Sequence, residues 1–148
     1  MANPVCEVLL TQEELELPKK TPDLSAGAIV DFWGVVRDLE NGREIDGINY
    51  EAHPTMAHHQ LRVMGERAME KFELKLIIIH HRIGFVPAGR SSLFLRVATR
   101  NRAESFQASQ WIVDELKSKV PIWKHPQFRS GDSLEKEATP GKDLARQR

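Results

Sequence analysis

Two spacings of apolar residues alternate along the chain, a period of two and a period of three to four, and they divide it into strands and helices. GAIVDFWGVV (27–36) alternates well enough for a half-buried strand, in which Gly34 permits close backbone approach. SSLFLRVATR (91–100) sets Leu93, Leu95 and Val97 against Phe94, Arg96 and Ala98, the pattern of another strand. LKLIIIHH (74–81) is an apolar run dense enough for a central strand. CEVLL near the N-terminus and INYEA (48–52) read as shorter strands. Helical spacing begins at Pro54, with Leu61, Met64 and Ala68 on one face, and reaches about Phe72.

Capping and breaking residues supply the boundaries. Asn101 with Glu104 forms a capping pattern that starts a second helix, which Pro121 stops. Thr11 with Glu14 predicts a brief helix after the first strand by the same pattern. PKKTPDLS (18–25) is a loop, DLENGRE after Arg37 a turn, and RIGFVPAG (82–89) a turn segment. Residues 1–128 are read as a single domain. RSGDSLEKEATPGKDLARQR (129–148) is read as a polar tail, mobile or partner-dependent. Strands and helices mix without strict βαβ alternation, which predicts an α+β fold.

Composition narrows the function. The chain has 148 residues, 41% hydrophobic and 28% charged, and its 21 basic residues balance 21 acidic ones. No global field points to nucleic acid or a membrane surface, so any anion site must be local. Cys6 is the only cysteine, which excludes an intrachain disulfide and fits a reducing compartment. The N-terminus has no basic segment followed by an apolar run, and no window approaches the roughly 20 apolar residues of a membrane span. A cytoplasmic protein is expected.

The stretch LKSKVPIWKHP (116–126) carries the most chemistry. Phe106, Val113, Leu116 and Val120 fall on one stripe of the preceding helix, and Lys117 stands about 40° around from Val113, on the shoulder of that stripe. Two readings fit Lys117. Its stem covers apolar surface while the ammonium reaches water, or it is an amine in a partly desolvated pocket, usable as nucleophile or general base. Lys124 follows a turn that Pro121 and Trp123 should make rigid. Arg102 occupies the first turn of the helix, where free N–H groups favour an anion. A cation there works against the dipole unless an anion binds nearby, though an exposed arginine is also common at such a place. The six histidines include no HExxH pattern and no cysteine partner, so no metal site is expected. Neither a Gly-rich phosphate loop nor a Ser–His–Asp arrangement can be read.

Taken together, these segments resemble the MoaE family, the large catalytic subunits of molybdopterin synthase. The resemblance runs from about Gly27 to Lys124. It rests on Phe32, Gly34, Val36 and Arg37, on YEA (50–52) with Met56-Ala57, on HRIG (81–84), on Arg102 with Phe106, and on LK-x-x-VPIWK (116–124). It implies an α/β hammerhead fold with an additional antiparallel β subdomain. It also implies sulfur transfer to cyclic pyranopterin monophosphate, forming the dithiolene of molybdopterin. The sulfur would arrive as a thiocarboxylate on the C-terminus of a small ubiquitin-like subunit, so no further cofactor is implied. Two large subunits would form a homodimer at the centre of a heterotetramer. By the same resemblance Lys117 and Lys124 are the catalytic lysines, and Arg37, Arg102 and Lys124 contact substrate. Asn101 and His125 complete the substrate-binding set, but they depart from the family pattern, which has His at the first position and a basic residue followed by Glu at the second. Pro126 stands in place of that Glu. Asn can donate a hydrogen bond but cannot carry charge or shuttle a proton. The alternative is a non-catalytic anion-binding or scaffolding paralogue that has lost turnover.

Overall fold

The computed structural model describes residues 3–129. Its elements run β1 (Val5–Thr11), β2 (Ala28–Val35), β3 (Leu39–Glu40), β4 (Arg43–Ala52), α1 (Pro54–Phe72), β5 (Leu76–Arg82), β6 (Gly84–Pro87), β7 (Ser91–Thr99), α2 (Arg102–Lys119) and β8 (Ile122–Phe128). This is the expected α+β class.

The first sheet has the order β1-β5-β7-β2. β1 runs parallel to β5, and the other two pairings are antiparallel. One face carries both helices, packed through Leu61, Met64, Ile112 and Leu116 onto Ile77, Ile79, Leu95 and Val97. The opposite face buries Leu76, Ile78, Phe94 and Ala98 beneath Leu15 and Ala26 of the β1–β2 connection. Arg96 fastens that connection: its guanidinium donates to the carbonyls of Pro18 and Lys20, each at 3.0 Å. It also grips Asp31 with two bonds of 2.7 and 2.8 Å. Covered on both sides, β7 is buried from Ser92 to Thr99, so its alternating pattern divides two cores rather than core from solvent.

The second sheet is built around β4. β3 and β6 follow one edge of it and β8 pairs with the other. Val36, Ile45, Ile48 and Val86 make its small core. Asn41 and Gly42 turn the β3–β4 hairpin with φ of 53° and 78°, the left-handed pair that a two-residue hairpin requires. At Gly47 a Cβ would stand 2.3 Å from the Val86 carbonyl oxygen, so β4 and β6 close only around glycine.

Helix α1 matches its predicted limits. Pro54 opens it, His53 Nδ1 accepts from the Met56 amide at 3.3 Å, and Glu73 ends it in the left-handed region. Several other expectations are corrected. No helix follows Thr11; its hydroxyl accepts from the Glu13 amide at 3.0 Å and closes a short turn instead. RIGFVPAG contains strand β6, because β4 offers an unpaired edge there. The segment after Pro121 is strand β8 rather than a rigid turn, and Pro126 is tolerated because β8 is an edge. Asn101 stands at the N-cap of α2 but makes no capping bond; its Nδ2 reaches Glu104 Oε1 at 3.4 Å. Phe106 is 62% exposed, because α2 turns the smaller Ser105, Ala108 and Ser109 to the sheet. All of the expected polar tail except Arg129 lies outside the described residues. Among those described, no helix is long and apolar enough to cross a membrane.

Candidate active site

A cavity of about 270 Å³ opens where the two sheets and the end of α2 meet. Three cations reach it from three elements. Arg37 leaves the end of β2, Lys117 the last turn of α2, and Lys124 strand β8. Leu116, buried beside Lys117, anchors that turn to the main core, so the ammonium stands at the cavity edge with water access. Lys124 faces Tyr50 across the β4–β8 ladder, which fixes its place more firmly than a turn would. Gly34 forms part of the wall at a bulge in β2, and a Cβ there would meet Leu93 Cβ at 3.3 Å.

Beside apolar lining from Phe32, Ile48, Leu93 and Ile122, the wall holds four polar side chains to which linear reading gives no role. Tyr50, Glu40, His81 and Ser92 all line the cavity. Burial pushes the Tyr50 phenol up, against an opposing hydrogen bond from Ser92, so the hydroxyl keeps its proton. Burial pushes His81 down to about 4, a backbone hydrogen bond to Arg82 opposing it only in part. His80 and His81 are adjacent in sequence but serve different places. Strand periodicity separates the two: His80 faces the β1–β2 connection and bonds Glu7 Oε2 at 2.7 Å, while His81 faces the cavity. Among the described residues no cluster is suited to a metal ion.

The other predicted site residues lie elsewhere on the same chain. Arg102 opens α2 and Lys117 lies near its end, about 22 Å along the axis at the rise of an α-helix. Asn101 borders a separate cleft with Glu73, Lys75, Arg100 and Glu104. His125 points away from its neighbour Lys124 into an adjoining depression, where Nε2 lies 2.8 Å from Glu51 Oε1. One chain therefore brings together Arg37, Lys117 and Lys124, and leaves Asn101, Arg102 and His125 outside that cavity.

Fold and cavity define a two-sheet α+β protein with a pocket whose apolar lining is set with three cations and with hydroxyl, imidazole and carboxylate groups. The chain belongs to the MoaE family: residues 10–119 match the family model described as MoaE protein. It is 37% identical over 110 residues to the molybdopterin synthase catalytic subunit of Oryza sativa subsp. indica, a match covering 74% of this chain and 57% of that protein. The corresponding subunit of Pyrococcus abyssi is 37% identical over 108 residues, 73% of each chain. The crystal structure of molybdopterin synthase from Staphylococcus aureus superimposes with a TM-score of 0.76 at 27% identity, covering 84% of this chain and 92% of that one. The match to the rice relative thus spans little more than half of that protein's length.

Proposed function

We propose that this chain is the catalytic subunit of a molybdopterin synthase. It moves sulfur from the thiocarboxylated C-terminus of a small ubiquitin-like carrier to cyclic pyranopterin monophosphate. The observation that carries the reading is the convergence of Arg37, Lys117 and Lys124 on one cavity in a member of this family. A thiocarboxylate and a phosphate are both anions, and a net-neutral chain attracts them only where cations are gathered. Lys117, at the accessible edge, meets the incoming thiocarboxylate and offsets charge that moves during transfer. Lys124 and Arg37 hold the pterin or its phosphate.

Sulfur bonds to a substrate carbon, and the carrier's acyl carbon must then exchange sulfur for oxygen. Water supplies that oxygen, so no metal or redox step is needed. Arg102, with Asn101 beside it, completes the site of a second copy, and His125 borders the cavity across Tyr50. A homodimer also fits strand β2, an edge of its sheet that leaves Ile29 and Val35 more than half exposed.

The test is to mix the protein with a thiocarboxylated carrier and the cyclic pterin and follow sulfur gain by mass spectrometry. Product carrying two sulfur atoms is expected. Carrier or pterin binding without any sulfur gain would overturn catalysis and leave the anion-binding or scaffolding role.

A further inference from the structure

The cations explain how anions enter the cavity but not where a proton goes. Transfer of sulfur from a thiocarboxylate leaves the substrate joined to the carrier through a thioester, and only hydrolysis frees them. Water's oxygen bonds to the acyl carbon, and the acyl carbon–sulfur bond breaks. Sulfur departs with the electron pair as a thiolate on the substrate. One water hydrogen stays on the new carboxyl group, and the other must be accepted by a base. Nothing is oxidised or reduced.

We propose that His81 Nε2 is the proton acceptor for this water. His81 Nδ1 lies 2.8 Å from the Arg82 carbonyl oxygen, which can only accept, so Nδ1 carries the hydrogen and the tautomer is fixed. That leaves Nε2 with its lone pair. The ring lines the cavity and is held edge-on by Tyr50 at 5.4 Å between centroids. Burial keeps the imidazole neutral at physiological pH, so the lone pair is available. The other neutral groups of the wall, the Tyr50 and Ser92 hydroxyls, are poorer acceptors. Glu40 shares the cavity and offsets the charge of a transient imidazolium.

This inference rests on the sulfur-transfer reading above, and one experiment separates the two. Wild-type, His81→Gln and His81→Asn proteins are each mixed with thiocarboxylated carrier and cyclic pterin, quenched in denaturant and weighed by mass spectrometry. His81→Asn keeps an amide N–H for the Arg82 carbonyl, so it preserves the bond the fold uses even if His81→Gln does not fold. Both variants should form the carrier–pterin adduct at the wild-type rate yet release it about a hundredfold more slowly or worse, the loss typical of a removed general base. The adduct should therefore accumulate. Wild-type release in a folded variant, or loss of turnover without any adduct, overturns the role of His81. Absence of sulfur transfer in the wild-type protein would instead overturn the parent reading.

Discussion

Tyr50 and Lys124 stand opposite one another in the β4–β8 ladder, so a strand rather than a turn sets the separation of the two cavity lysines. Only Val120 and Pro121 lie between the end of α2, which carries Lys117, and the start of β8. A short stiff connection joins two rigid elements, and the backbone positions of the two lysines inherit that rigidity.

Lys117→Ala should lower sulfur transfer by about a hundredfold or more, the cost of removing one well-placed electrostatic group. Because the side chain is exposed, unfolding free energy should stay within about 0.5 kcal/mol of wild type. Lys117→Arg should fail as well if the amine must also give up its proton during transfer, which a guanidinium does not do near neutral pH. Single-turnover kinetics beside a urea melt decides it, and near-normal turnover in folded Lys117→Ala removes this residue from catalysis.

The length of α2 predicts how copies cooperate. Arg102→Ala and Lys117→Ala homodimers should each be nearly inactive. Mixed dimers collect both lesions in one site and leave the other intact. With random reassortment, activity should return to roughly a quarter of wild type. If labelled subunits exchange and activity stays at the level of the separate mutants, the site is not shared.

Cys6→Ser should retain full sulfur transfer. Burial pushes the Cys6 thiol up, which leaves it protonated and a poor nucleophile. Its sulfur packs where a Cβ on Gly65 would come within 2.9 Å, a structural place between β1 and α1. Loss of turnover in a folded, carrier-binding Cys6→Ser protein would mean that the chain takes part in sulfur relay.

Arg96→Met should destabilise the protein by about 2–3 kcal/mol, because Asp31 and two carbonyls lose a charged donor together. The β1–β2 connection should become the first site of limited proteolysis. An unchanged cleavage pattern would show that Leu15 and Ala26 hold it without the arginine.

Burial lowers His81 from the ordinary 6.5 to about 4, so the unfolded chain takes up a proton that the folded chain refuses between those values. The contribution is complete above about pH 6.5 and is lost as pH falls toward 4, up to about 3 kcal/mol. Wild type should therefore lose more stability than His81→Asn between pH 7 and 4.5 in urea titrations. Glu7, whose carboxyl is held low chiefly by its bond to His80, also loses stability on acidification, but equally in both proteins. Parallel pH profiles would place His81 in a less buried setting.

Parts of this architecture could be read from order alone. Pro54 and the spacing of Leu61, Met64 and Ala68 delimit α1 because a proline start and a helical stripe are both local signals. β6 and β8 escaped because Gly84, Pro87, Pro121 and Pro126 read as breakers, whereas a waiting edge of β4 decides their state. In the site, Lys117 and Lys124 stand out as cations beside apolar segments, while Arg37 enters only through the family resemblance. Tyr50, Glu40 and His81 do not stand out, since their meeting depends on how two sheets join, which no local pattern encodes.

During synthesis the order β1-β5-β7-β2 leaves both outer strands without partners for a long time. Val5 must wait for Leu76, and Ala28 for Thr99. At the usual pace of translation that interval is on the order of ten seconds. The β5–β7 pairing is the most local in that sheet, and the outer strands join by more distant, slower closures. Until then β2, with Ile29, Phe32, Trp33 and Val35, is an apolar strand leaving the ribosome with nothing to pair with except its counterpart on a neighbouring chain. Aggregation during rapid overexpression should therefore begin at β2, and slowing translation ahead of β7 should worsen it.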